Sequence, residues 1–91
     1  MTDKQVFIDF IKRLKQGGVK YLVVVVKNTD HRNAEVIINM LENYDKKAEY
    51  YEKAYNDALV LNSFTGIKIA DYAGMNSLGE LVEWLEDTGW S

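Results

Sequence analysis

The apolar positions of this chain change period several times between its two ends. In residues 3 to 16, Val6, Phe7, Phe10, Ile11 and Leu14 recur at steps of one, three and four, which puts them on one stripe of an amphipathic helix. Gly17 and Gly18 follow at once, and glycine is the usual helix terminator because the left-handed conformation costs it little. Residues 21 to 27, "YLVVVVK", are apolar on both faces and rich in β-branched side chains. That pattern predicts a strand covered on each side, central in its sheet or paired in parallel.

Beyond a polar stretch the helical spacing returns. Val36, Ile37, Met40, Leu41, Tyr44, Ala48, Tyr51 and Tyr55 predict one long helix over about 33 to 56. The main alternative is a break at Tyr44 and Asp45, where weak helix formers gather. "ALVLNSFTGIKIAD" then carries two short β-branched segments, 58 to 62 and 67 to 71, around a Ser, Thr and Gly cluster, a hairpin pattern. The last segment is the best marked: Ser77 with Glu80 forms a capping box, Leu78, Leu81, Val82 and Leu85 give the apolar stripe, and Gly89 ends it.

The expected fold is therefore a single α+β domain over residues 1 to 91, in the order α-β-α-β-β-α. A three-stranded sheet carries the helices, with a right-handed crossover through the long helix. Such a sheet has two edges, and an uncovered edge is a natural place for a partner chain or a second copy to add.

Composition narrows the function. With 91 residues, a domain of this size buries roughly 60 to 65% of its unfolded surface, which leaves little stability to support a strained, water-free catalytic pocket and favours binding over catalysis. There is no cysteine, so disulfides, thiolate nucleophiles and Cys-rich zinc sites are excluded and a reducing compartment is the default. The longest apolar run, "YLVVVV", is far below the roughly 18 to 20 residues that cross a bilayer, and the N-terminus lacks the apolar block of a signal peptide. A cytoplasmic protein that does not engage membranes is expected. The net charge of −3 is unevenly spread: all 11 Lys and Arg lie in residues 1 to 68, while Asp71, Glu80, Glu83, Glu86 and Asp87 follow with no base among them. An acidic C-terminal face of this kind opposes direct nucleic-acid binding and suits a basic protein partner.

Several positions are candidates for chemistry. The loop after the valine block holds Asn28, Asp30, His31 and Arg32, which would bind a small ligand or nucleotide if His31 acts as acid or base and Arg32 holds an anion. The competing reading is structural, with Asp30 or Asn33 capping the next helix. No Ser, Cys or second His stands near to complete a nucleophile and base pair, so no catalytic residue is assigned. A lone histidine with scattered carboxylates has no metal-ligand spacing, and Gly17-Gly18 precedes a strand where a phosphate loop precedes a helix, so no metal or cofactor is expected. Lys12, Arg13, Lys15 and Lys20 read as a solvated face, given a pI near 5.0. Tyr44, Tyr51 and Tyr55 fall on the apolar stripe and Tyr50 off it, leaving Tyr50 for an interface. On the final helix Glu80, Glu83 and Asp87 share one side, with Trp84 and Glu86 beside them and Trp90 just past the end. These residues form the candidate partner-binding surface: acids with aromatic anchors that would dock on a basic groove of the kind that holds nucleic acid.

The stretch "YYEKAYNDALVLNSFTGIKIADYAG" resembles the small proteins carried by bacteriophages and mobile elements of low-GC Gram-positive bacteria, which often join a Tyr- and Lys-rich helix to a short "GIKI" strand. The resemblance covers residues 44 to 74. It implies an accessory protein that binds a host factor, similar in size and acidity to anti-CRISPR and anti-restriction inhibitors. That group has no common motif, so the resemblance transfers no site residues. The expectation is a non-enzymatic protein-binding module that inhibits a host nucleic-acid-handling defence protein, free to form a homodimer. The alternative is a small-ligand sensor at the end of the first strand.

Overall fold

Two layers of helix enclose a three-stranded antiparallel sheet in the computed structural model, which describes residues 1–28 and 34–90. The elements are α1 (Asp3–Gln16), β1 (Tyr21–Asn28), β2 (Ala34–Met40), α2 (Tyr44–Ala54), β3 (Ile67–Met75) and α3 (Leu78–Thr88), with a 3-10 turn at Leu41–Asn43 leading into α2. The α+β class and the three-stranded sheet agree with the sequence pattern. The order is α-β-β-α-β-α, not α-β-α-β-β-α, and the sheet order is β2-β1-β3 with both pairings antiparallel, so the crossover through α2 joins β2 to β3 across β1 and does not start from β1.

The expected long helix over 33 to 56 is thus corrected at its first half. Val36, Ile37 and Ile38 form a β-branched run that loses side-chain freedom in a helix and packs well on a pleat. Each also finds a partner in β1: Val25, Val24 and Val23 respectively. Only residues 44 to 54 keep the helix, and the change falls near Tyr44, where the alternative break was placed. The expected hairpin is corrected too. Its second arm extends to Met75 as β3, while the first makes only isolated bridges, Tyr55 to Leu61 and Val60 to Lys68.

Register sorts the strands into two faces. On one lie Leu22, Val24 and Val26 beside Ile37 and Asn39 of β2 and Ile69, Tyr72 and Gly74 of β3. Here α1 and α2 pack: Phe7, Ile11, Leu14, Tyr44, Tyr51 and Tyr55 are all buried against Leu22 and Val24. The Phe7 ring lies 4.6 Å from that of Tyr72 and 5.1 Å from that of Tyr51. The Tyr44 hydroxyl donates to the Val19 carbonyl at 2.7 Å, so its polar end is satisfied. Lys4 ties the two helices together by donating to the carbonyls of Glu52 and Tyr55 at the end of α2, both at 3.1 Å, where a cation suits the helix dipole. Lys12, Arg13, Lys15 and Lys20 are exposed, as a solvated face requires.

The opposite face carries Val23 and Val25 of β1, Val36, Ile38 and Met40 of β2, and Asp71, Ala73 and Met75 of β3. α3 lies against β3 on this side. Val23 and Val25 are fully buried, so β1 is covered on both faces as its sequence predicts. Ala70 is an extra residue in β3, a bulge that shifts the register between Val25 and Val26.

Candidate functional site

The geometry of α3 starts from its caps. The Ser77 hydroxyl accepts from the Glu80 amide at 3.2 Å, and the Glu80 carboxylate accepts from the amides of Ser77 and Asn76, satisfying donors that a helix start leaves free. At the other end Gly89 takes φ 79°, and the amides of Gly89 and Trp90 both donate to the Leu85 carbonyl. This turn sends Trp90 back onto the sheet. Its indole Nε1 donates to Oδ2 of Asp71 at 3.1 Å, while Oδ1 accepts from the Tyr72 amide. Leu81, Trp84, Leu85 and Trp90 are accordingly half-buried.

The candidate surface divides in consequence. Glu83, Glu86 and Asp87 project from the exposed side of α3, and among the described residues no Lys or Arg lies within ion-pair distance of them. Every ion pair of the described residues joins elements on the other side of the sheet or lies within α2: Lys4 with Glu52 and Asp57, Lys15 with Asp45, Lys53 with Glu49. Glu80 and Trp90, by contrast, are held by structural bonds, the cap and the Asp71 contact. Trp84 offers only part of its ring. Leu78 and Val82, both on the apolar stripe that the sequence predicts for this helix, are 59% and 55% exposed and are neighbours of the acids.

Tyr50 does not join this surface. It is half-exposed on α2, across the sheet, where its ring stacks edge-on with Tyr51 at 5.4 Å and Lys47 stands 6.0 Å from its centroid. The stripe tyrosines 44, 51 and 55 are buried as expected. Burial pushes the Tyr44 phenol up to about 12, and burial with the nearby Tyr50, Tyr51 and Glu35 does the same for Tyr55. Asp30, His31 and Arg32 lie outside the described residues; Asn28 ends β1.

The hollows of the molecule gather little chemistry. One open cleft of about 520 Å³ lies between Asp3, Leu59, Lys68 and Asp71, and both oxygens of Asp71 are already engaged. Among the described residues no three His, Asp or Glu side chains converge as a metal site, and no helix is long and apolar enough to cross a membrane. The Asp71 to Trp90 bond was missed from sequence because it joins residues 19 apart; an acid inside a strand pattern was its only trace.

No protein-family model matches the chain, and no curated protein and no solved structure matches it either.

Proposed function

We propose that the chain is a non-enzymatic protein-binding module that acts in the cytoplasm through the outer side of α3. Glu83, Glu86 and Asp87 carry the reading: three carboxylates share one exposed side with no Lys or Arg among the described residues within ion-pair distance, next to the half-exposed apolar side chains of Leu78 and Val82. Keeping like charges together costs a little stability and gains a field that steers a basic partner into contact. Buried apolar contact then supplies affinity, with acids at the rim giving orientation. The partner of matching chemistry is a protein with a basic groove, and a groove lined by Lys and Arg to hold nucleic acid carries such a field. Together with the resemblance to small phage and mobile-element proteins, this points to inhibition of a nucleic-acid-handling defence protein.

The test is capture of partners from a Gram-positive host lysate by the chain and by a Glu83→Lys, Asp87→Lys variant with an unchanged melting curve. The expected result is a basic protein retained by the parent, displaced by added DNA and lost with the variant. Full retention by the charge-reversed variant overturns the proposal.

A further inference from the structure

The two edges of the sheet are treated differently. Along the first half of β3 the outer edge is covered by the segment before it: Ile69 donates its amide to the Leu59 carbonyl, and Leu61 donates to that of Ile67, both at 2.9 Å. To reach these bonds Leu59 adopts φ 62°, an uncommon conformation for a residue other than glycine. Further along, the Tyr72 amide is taken by the Asp71 carboxylate. No described residue pairs with the outer edge of β2.

Ladder alternation shows what that edge presents. The Leu41 amide donates to the Lys20 carbonyl, so the two-residue repeat turns the amides and carbonyls of Glu35, Ile37 and Asn39 toward β1. Those of Val36 and Ile38 point outward, as does the Met40 amide. β2 carries none of the usual protection of a free edge: "AEVIINM" has no Pro, no Lys or Arg, and its single charge is Glu35, while the bulge of the sheet lies on β3. An edge so unguarded is either a liability or an interface.

We infer that β2 pairs antiparallel with β2 of a second copy about a twofold axis at Ile37, giving a continuous six-stranded sheet. A twofold interface must be complementary to itself, and this register is. It places Val36 opposite Ile38 and Ala34 opposite Met40 as hydrogen-bonded pairs, both within the set whose amides face outward. Ile37 meets its own counterpart. The one charge, Glu35, falls opposite the neutral Asn39, so no like charges face each other across the seam. Shifting the register by two in either direction shortens the paired segment and leaves Ala34 or Met40 outside it. The side chains brought together on the α3 side of the sheet are Val36, Ile38 and Met40; Ile38 and Met40 are 43% and 42% exposed in the single chain, and pairing joins two such strips into one covered band.

The experiment uses the whole chain. Light scattering or sedimentation equilibrium across the micromolar range is expected to give twice the chain mass of 10.5 kDa at the upper end, returning to the single mass on dilution. Ile38→Pro is expected to give a monomer with unchanged circular dichroism, because the Ile38 amide faces outward and proline is tolerated at such an edge position. A second arm keeps the test decisive if that variant unfolds. The chain has no cysteine, so Ile37→Cys is expected to oxidise to a disulfide dimer, while Glu35→Cys, whose counterpart lies far along the seam, is expected not to. A parent chain that stays monomeric throughout, an Ile38→Pro variant that still dimerises, or equal cross-linking by both cysteine variants overturns the inference. Retention of an unrelated protein on a monomeric chain belongs with those results.

Discussion

Replacing Gly74 with alanine would place a methyl group 2.5 Å from Cδ2 of Leu14 and 2.9 Å from its Cδ1. Carbon atoms rest about 3.5 to 4.0 Å apart, so the Leu14 side chain has to yield by about 1 Å. Leu14 is 9% exposed at the end of α1, and it is pressed onto β3 because the glycine leaves room for it. Forcing a methyl into such a contact costs about 1 to 3 kcal/mol. Alanine returns about 0.4 to 1 kcal/mol by restricting the unfolded chain. The expected net loss is about 1.5 kcal/mol, or a melting temperature lower by about 6 to 12 °C for a domain of this size. Urea unfolding followed by tryptophan fluorescence measures it as a lower midpoint at unchanged slope. The cause is checked by a cycle. Leu14→Ala alone is expected to cost about 2 to 5 kcal/mol, and in its space Gly74→Ala becomes neutral or stabilising, a coupling of about 1.5 to 2 kcal/mol. Additivity of the two changes within about 0.5 kcal/mol would refute close approach as the reason for the glycine.

Two further outcomes follow from buried polar groups. Tyr44 and Tyr55 stay protonated in the fold up to about pH 12, while in the unfolded chain they ionise near their ordinary 10.0. Their stabilisation is therefore complete below pH 10 and is lost as pH rises from there toward 12, since the unfolded chain releases protons first. Melting temperatures taken from pH 8 upward should hold and then fall beyond about pH 10, less steeply in Tyr44→Phe, which also loses about 1 kcal/mol at neutral pH with its bond to Val19. Asn39 is 2% exposed; its Nδ2 donates to the Leu22 carbonyl and the Tyr51 hydroxyl, but its Oδ1 has no partner among the described residues. Asn39→Leu with Tyr51→Phe removes the unpaired group and the hydroxyl together and is expected to stay within about 1 kcal/mol of the parent, whereas Tyr51→Phe alone costs about 1 kcal/mol. A double variant much less stable than either single change would show that the pair is held by more than these bonds.

How much of this was legible in the chain depends on whether the signal is local. α1, β1 and α3 follow from short-range pattern: an apolar stripe, a β-branched block, and a capping box closed by Gly89. Residues 34 to 40 are the opposite case. Val36, Ile37, Met40 and Leu41 satisfy helical spacing as readily as Glu35, Ile37 and Asn39 alternate with Val36, Ile38 and Met40. Pairing with β1 decides between them, because every residue from Ala34 to Met40 gains a partner there that no helix offers. The candidate surface divides in the same way. The charge separation and the acids of α3 are sequence facts, but that Glu80 is spent on a cap was readable from its spacing after Ser77, and that Trp90 is spent on Asp71 was not.

The amino-acid sequence by itself determined the class of the protein, the central place of the valine strand, the ends of two helices and the acid excess after residue 68, since each rests on neighbours within a few positions or on composition. Tertiary structure alone decided which way residues 34 to 40 would go, that Tyr50 and α3 lie on opposite sides of the sheet, and that one edge is covered by the turn at Leu59 while no described residue covers the other. Those outcomes depend on hydrogen bonds and contacts between distant segments, whose energies are gained only when the chain has closed on itself.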